Sequence, residues 1–304
     1  MNTNTNSYAV CFGEVLWDIF PAGSRAGGAP FNVAYNLDKM GLNVQMISKI
    51  GDDELGKDLI KQIKSWNIST DFIQIDEERP TGTVLANFDE QGEAHYDIVQ
   101  DVAWDHIKIL PGHKVLVTNA EAFVFGSLIA RNEVSKNTLL ELIEHSKFRV
   151  FDVNFRPPFI DFDLVKTLLG KADLVKMNKA ELRQIIEFLG EEYGDEDKSI
   201  KFIQEHFDLN EIVLTKGSKG ARYFVKDQNY TFPAVSIEVN DTVGSGDSFL
   251  AGFLSKRIQC KTAEEIMKQA VSLGAFITSK SGACPDYTYE EFKSFREEHY
   301  SQTI

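Results

Sequence analysis

Asn240-Asp241-Thr242-Val243-Gly244-Ser245-Gly246-Asp247-Ser248-Phe249 is the stretch on which the reading of this chain turns. Its two glycines let a backbone approach a ligand closely and take dihedrals that cost other residues. An apolar helical pattern follows at once, with Phe249, Leu250, Phe253 and Leu254. A glycine turn feeding a helix leaves the first amides unpaired and pointing outward. Those amides, together with the helix dipole, form an anion site. Asp247 stands at its mouth, and two readings are open for it. A carboxylate at a helix start caps the helix. A carboxylate beside a phosphate cradle takes a proton from an attacking hydroxyl.

Other phosphate motifs do not fit. The chain has no GxxxxGK[ST], and Gly217-Ser218-Lys219-Gly220 lacks both the first glycine and the Lys-Ser/Thr end. Gly13 follows an apolar run but has no GxGxxG around it, which leaves a nicotinamide-dependent oxidoreductase without its fingerprint.

Around that stretch, strands alternate with helices. Residues 8–12, 44–50, 149–153, 174–177 and 211–215 read as strands. Residues 31–40, 54–66 and 132–145 read as helices, Leu182, Ile185, Ile186 and Leu189 mark another helix face, and two long helices start near Asp247 and Thr262. Residues 115–118 and 123–125 are short apolar runs, and 190–198 is an acidic surface loop. Such alternation predicts an α/β fold, a mostly parallel sheet with helices on both faces. Residues 81–88 and 95–99, joined by Asp-Glu-Gln-Gly-Glu, break the rhythm and read as an inserted β-hairpin. A hairpin cannot bury itself alone, so it covers something or pairs with another chain. Val84, Ala86 and Phe88 alternate on one of its faces, read here as exposed and as a homodimer surface. In open parallel sheets, ligands sit beyond the carboxyl ends of the strands.

Composition narrows the function. Of 304 residues, 43% are apolar and 26% charged, near the globular norm. With 32 Lys+Arg against 46 Asp+Glu, the net charge is −14. That argues against tracking a nucleic-acid backbone but leaves room for a local anion site made of amides. Three cysteines without CxxC spacing suit a reducing compartment. The polar start carries no signal peptide pattern, and no apolar run approaches the roughly 18 residues of a membrane span. The expectation is a cytoplasmic protein with no membrane or nucleic-acid partner. No 20–50-residue repeat and no linker divides the chain.

Gly27-Gly28-Ala29-Pro30-Phe31-Asn32-Val33-Ala34 is the second informative segment. A glycine turn with Pro30 in the first helical turn explains the glycines. It does not explain Asn32, which is costly in an apolar helix unless its amide has a partner. An amide both donates to and accepts from sugar hydroxyls.

Together these two segments resemble the paired signatures of the PfkB (ribokinase-like) carbohydrate kinases. Gly27 to Gly56 resembles the di-glycine, Asn and spaced-glycine pattern, and Asp241 to Asp247 the Asp-Thr-x-Gly-Ala-Gly-Asp motif, with Ser245 in place of Ala. The two occur in order, about 200 residues apart, and the resemblance runs from the first strand to the last helix. It implies one domain over residues 1–304, a three-layer α/β/α ribokinase-like core with a small β lid from segments near 14–26 and 81–100. It also implies ATP and magnesium, with Asp247 as base and the Gly244, Ser245 and Gly246 segment as the phosphoryl cradle. Asn178-Lys179-Ala180-Glu181 resembles the family's Asn-x-x-Glu motif, through which Asn178 and Glu181 help place magnesium by way of water; a capping box explains the same residues. Thr215, Gly217 and Gly220 resemble the nucleotide-binding strand and loop, a stretch that also reads as a hairpin turn. Residues 270–275 and Gly282-Ala283 resemble the adenine side, where small residues for helix packing are the competing account. Asp241, Val243 and residues 277–282 resemble a monovalent-cation site, which would take potassium.

For the acceptor, three segments look most like the bacterial fructokinases: residues 13–21 (GEVLWDIFP), Ala29-Pro30-Phe31-Asn32, and residues 151–158 (FDVNFRPP), where Val153 replaces the usual Pro. By position, Asp18, Gly28 and Asn32 match the family's sugar contacts. Arg156 is read on sugar or phosphate, and Gly126 and Ser127 follow a strand end beside them. A sugar phosphate would call for extra basic residues, and the acceptor segments offer only Arg25. The expectation is a fructokinase that makes fructose 6-phosphate. Ribose, 2-keto-3-deoxygluconate or a nucleoside as acceptor, and a catalytically silent sugar or nucleotide sensor, are the rival readings.

Overall fold

The computed structural model describes residues 7–21, 23–88 and 94–300. Its strands, in chain order, are β1 (Tyr8–Phe12), β2 (Leu16–Phe20), β3 (Gly23–Gly27), β4 (Asn43–Gly51), β5 (Ile73–Asp76), β6 (Gly82–Phe88), β7 (Ala94–Ile98), β8 (Ala122–Gly126), β9 (Arg149–Asp152), β10 (Leu174–Asn178), β11 (Glu211–Thr215), β12 (Ala221–Val225) and β13 (Gln228–Phe232). Nine form one sheet in the order β13-β12-β11-β10-β9-β8-β1-β4-β5. It is parallel from β11 to β5, and β12 and β13 add an antiparallel edge.

The sequence of β1 shows why the sheet is covered twice. Its side chains alternate faces with period two. Ala9 and Cys11 enter one apolar layer with Phe31, Leu37, Phe253 and Leu273. Val10 and Phe12 enter the other with Leu139, Leu168, Ile185 and Ile203. The first layer comes from helices Ala29–Lys39, Glu54–Ser65, Ser245–Arg257, Ala263–Thr278 and Tyr289–Tyr300, the second from Glu133–Ile143, Phe162–Leu169, Lys179–Phe188 and Glu196–Phe207. This is the expected three-layer α/β/α ribokinase-like arrangement.

The chain leaves β1 toward β4 and β5 on one side, then returns to β8 on the other and steps out to β11. The order therefore reverses at β1, a crevice-forming switch point. The two excursions that break the α/β rhythm leave after β1 and after β5. They meet in a separate four-stranded sheet, β3-β2-β6-β7, in which β2 pairs with β6 in parallel. Residues 89–93, between β6 and β7, lie outside the described residues.

Several local expectations change. Residues 115–118 belong to a helix, His113–Asn119, with Val117 buried and Val115 facing out; a single amphipathic turn is too short to show a period. The acidic stretch at 190–198 ends inside the Glu196–Phe207 helix, which Asp195 caps by accepting from the Lys198 amide. Val84 is not exposed: it is 8% accessible and packs with Leu16, Trp104 and Ile98 in the core. The side chains of Ala86 and Phe88 lie outside the described residues. β5, the β12–β13 hairpin and the last helix had no clear sequence signal, being short or polar on most of their surface.

Asp53 pins the second sheet to the first. It caps the Glu54–Ser65 helix through the Gly56 amide at 2.7 Å. It also accepts from the Thr81 amide at 2.8 Å and hydroxyl at 2.7 Å, just before β6. Burial pushes this carboxyl up, but those hydrogen bonds outweigh it and hold it below the usual carboxylate range. Asp53→Ala should therefore cost about 2–3 kcal/mol in urea unfolding at neutral pH. Because the folded carboxyl is the stronger acid, that difference should be present above the unfolded carboxylate range and shrink as pH falls through the folded one. A loss under about 0.5 kcal/mol would remove Asp53 as a pin.

Candidate active site

Gly244 ends the approach to the Ser245–Arg257 helix in a left-handed conformation, φ +74°. A side chain there would begin 2.3 Å from Ala283 Cβ, so the position admits only glycine. The Ser245 amide bonds to Thr242 O at 3.2 Å. The amides of Gly246 and Asp247 lie in the first turn, where a helix has no carbonyl to offer them. Asp247 is the third helical residue and does not occupy the cap position, which falls to Gly244. Its carboxylate is 6% accessible, and its Oδ2 accepts from Asn32 Nδ2 at 2.8 Å. The capping account of Asp247 therefore gives way to a buried carboxylate held by a residue 215 positions away. Burial raises its proton affinity, the nearby Asp152 charge raises it further, and Lys176, Asn32 and Arg156 oppose.

Asn32 is buried in the first turn of Ala29–Lys39. Both ends of its amide are engaged, since Oδ1 accepts from Cys284 Sγ at 3.4 Å. Gly28 caps that helix at φ +111°, and a side chain there would begin 2.2 Å from Glu14 O. Asp18 stands on β2, partly buried, with Oδ2 against Gly27. Burial pushes it up to about 6, opposed by Arg156 and Arg25 and aided by Asp247. Asn32 and Asp247 thus meet directly, and Asp18 lies close enough to feel the charge of Asp247. Arg156, exposed just past β9, donates to Phe155 O at 3.1 Å and adds its positive charge to the fields at Glu14, Asp18 and Asp247. Ser127 is buried and donates to Val153 O at 2.6 Å, which ties the loop after β8 to the loop after β9.

On the other side of Gly246 opens a cavity of about 670 Å³. Thr215, Gly217, Gly220, Asn178, Ser245 and Gly246 line its polar side, and Val239, Phe249, Val271 and Ala275 its apolar side. The turn 216–220 does close a hairpin, Lys216 N bonding Gly220 O at 2.8 Å, as the hairpin account of that loop requires. Gly282 lies outside the lining of this cavity, because its amide turns to Asp241 Oδ2 at 2.9 Å. The capping box at Asn178 is formed as well. Asn178 Oδ1 accepts from the Ala180 and Glu181 amides, while Glu181 accepts from Asn178 N at 2.7 Å and Phe155 N at 3.1 Å.

Three charged side chains here escaped notice as site residues. Asp152 at the end of β9 holds Lys176 of β10 with both oxygens, each at 2.8 Å. Lys176 Nζ lies 3.1 Å from where a side chain on Gly246 would begin, directly under the helix start. Burial disfavours its charge, yet Asp152, Asp247 and Glu181 hold its affinity above the ordinary lysine value. A lysine inside the apolar run of β10 was the available signal, since an unpaired one is not tolerated there. Glu14 is the third: 4% accessible, with Oε1 accepting from Ala29 N at 3.2 Å and Oε2 without a partner. Three buried carboxylates, Asp152, Glu181 and Asp247, thus face one buried ammonium. That surplus of negative charge suits an added cation. Among the described residues no three His, Cys, Asp or Glu side chains group to hold a metal directly.

An α/β/α sheet with an anion-binding helix start, a buried carboxylate at its mouth and a nucleotide-sized cavity beside it defines a phosphotransferase site. The chain matches the pfkB family carbohydrate kinase model over residues 5–288 and belongs to that family. Probable fructokinase-6, chloroplastic, of Arabidopsis thaliana is 26% identical over 93% of this chain and 80% of its own length. The fructokinase of Xylella fastidiosa with bound ATP superposes with a TM-score of 0.83 at 22% identity, covering 98% of this chain and all of that one. A Vibrio cholerae fructokinase double mutant in fructose, ADP and potassium ion bound form has a TM-score of 0.81 at 20% identity, covering 96% and 99%.

Glu14 supplies a test of the site's electrostatics. Burial pushes its carboxyl up to about 7 from 4.5, against hydrogen bonding and Arg156. The folded state therefore binds this proton more tightly than the unfolded chain, and stability falls as pH climbs between those values. Glu14→Gln removes the charge. It should gain on the order of 2–3 kcal/mol in urea unfolding near pH 8 and almost nothing near pH 4. Equal effects at both pH values would show that the buried charge is not what the site bears.

Proposed function

We propose that this protein transfers the γ-phosphoryl of Mg-ATP to the primary hydroxyl of a neutral sugar, D-fructose above others, giving fructose 6-phosphate. The observation that carries the reading is the buried, proton-avid Asp247 set at the first turn of an anion-binding helix. ATP fits the 670 Å³ cavity with its adenine on the Phe249 and Val271 side. Its terminal phosphate reaches the Gly246 and Asp247 amides. Asn178 and Glu181 would hold magnesium by way of its waters, and the ion would supply positive charge to offset that of the phosphates. Asp247 accepts the hydroxyl proton, and Asn32 keeps its carboxylate aimed at the acceptor. The amides, fixed before the reaction, stabilise the charge on the transferring group. The four-stranded sheet acts as a lid, which excludes water and limits idle ATP hydrolysis.

The neutral acceptor is supported by the fate of Arg25. Its guanidinium turns to Asp241, and although its charge is still felt at Asp18, Arg156 is the one arginine felt at both Asp18 and Asp247. Fructose itself is supported by the fructokinase relatives and by residues 13–21 and 151–158. Among the described residues no helix is long and apolar enough to cross a membrane.

Coupled ADP release against fructose, ribose, glucose, mannose, ketodeoxygluconate, adenosine and fructose 6-phosphate should show selective turnover with fructose. Turnover with another panel member keeps the kinase and changes the acceptor, while silence with ATP still bound favours a sensor. Asp247→Asn should lower kcat about 10²–10⁴-fold with ATP affinity little changed. A variant keeping most of its turnover removes Asp247 as the base.

A homodimer through the lid retains one support now that Val84 points into the core: β3 and β7 are open edges of the small sheet. Light scattering at micromolar concentration should give twice the chain mass, and a monomer mass excludes the dimer.

A further inference from the structure

Arg25 sits on β3, at the edge of the four-stranded sheet, with its side chain half exposed. Its guanidinium leaves that sheet for the other end of the chain. Nη1 lies 3.3 Å from Asp241 Oδ2, and Nη2 donates to Ser281 Oγ at 3.0 Å. The Phe20 ring lies 5.4 Å below the guanidinium carbon. Gly282 closes the remaining side: a side chain on it would begin 3.3 Å from Arg25 Cδ and 3.4 Å from Nη1.

Asp241 is the knot of this region. Its Oδ1 accepts from Val243 N at 3.0 Å and its Oδ2 from Gly282 N at 2.9 Å. The amides of Asn240 and Asp241 both bond Thr278 O. The carboxylate thereby joins the loop before Gly244 to the loop 278–283, and Ala283 of that second loop packs directly on Gly244. The Asp241 carboxylate wants a positive charge beside it, and these are the residues whose sequence suggested a potassium site. They do not fit one here. The Oδ2 atom that would face a cation already has a guanidinium on it, and that fixed charge repels a second cation brought to the same oxygen.

We infer that Arg25 is a covalently attached replacement for a monovalent cation at the Asp241 loop, so that this protein binds and needs none. A tethered charge cannot dissociate, so the loop that shapes the phosphoryl cradle keeps its form whichever monovalent cation the solution holds. The activity arm of the test rests on the kinase reading; the binding arm does not.

The whole protein is compared in KCl and in choline chloride of equal ionic strength. Thermal unfolding of the unmodified chain should give the same Tm in both salts. Arg25→Ala and Arg25→Gln should each unfold earlier in choline chloride and recover, saturably with KCl, by about 2 °C or more. Turnover, on whichever sugar the panel identifies, should be equal in both salts for the unmodified chain. In the two variants it should fall several-fold in choline chloride and return with KCl. A saturable potassium effect on the Tm of the unmodified chain overturns the inference. So do variants that ignore potassium, because then Arg25 stands in no cation's place. If no sugar is turned over, the kinase reading fails alone, and the Tm series still decides for or against Arg25. The side chain is half exposed, so replacing it leaves the core untouched.

Discussion

A single hydrogen bond, Asn32 Nδ2 to Asp247 Oδ2, joins the first turns of two helices from opposite ends of the chain. The rest of the site is arranged around it. Asn36, one turn further, donates to Asn32 O at 2.8 Å and to Ala283 O at 3.3 Å. Tyr287 donates to Asn36 Oδ1 at 2.9 Å, and Tyr35 to Pro285 O at 2.6 Å. Asn32 and Asn36, which would each be a liability alone in an apolar helix, satisfy one another's surroundings and lock the loop 283–287 against Gly244. Buried networks of this kind fix one arrangement when every member is paired. The carboxylate that most needs a fixed direction is the one so held.

Charge acts at two scales here. The chain as a whole is acidic, which disfavours long anionic polymers. Under the cradle, however, Lys176 is buried against Gly246 and gripped by Asp152, and the helix start adds its partial positive charge. Lys176 and the helix start offset part of the carboxylate charge beside them, and a cation arriving with a phosphate offsets the rest. A small anion that carries its own cation is therefore suited to the crevice, whereas a long bare one meets the chain's acidic surface.

Much of the fold was legible because the buried strands are uninterrupted apolar runs and the long helices carry clear stripes. The glycine turns were legible for a different reason: at Gly28 and Gly244 no other residue fits the backbone. What escaped reading depends on partners distant in sequence. Lys176 looks like a stray charge until Asp152 is placed beside it, and Glu14 looks like part of a turn until its burial is known. Arg25 reads as a basic residue near the sugar segment, yet it bonds Asp241, 216 positions on. Asp247 shows the limit from the other direction. A two-residue shift in where its helix begins turned an ordinary cap into a buried carboxylate. Val84 shows the same limit in a strand, where alternation gives two faces but not which one is covered.

The four-stranded sheet is spliced from two pieces, 16–27 and 82–98, that leave the main chain on either side of β4 and β5. The parallel β2–β6 pair is the seam. Each piece is only a two-stranded pair, too small to be stable alone, so each depends on the other. Both lie in the first third of the chain with Asp18, Gly28 and Asn32, whereas the 670 Å³ cavity draws most of its lining from beyond residue 214. The two stretches are not separable for all that, since Asn32 and Arg25 of the first reach Asp247 and Asp241 of the last. An exchange of either half between relatives would have to carry matching partners for both bonds.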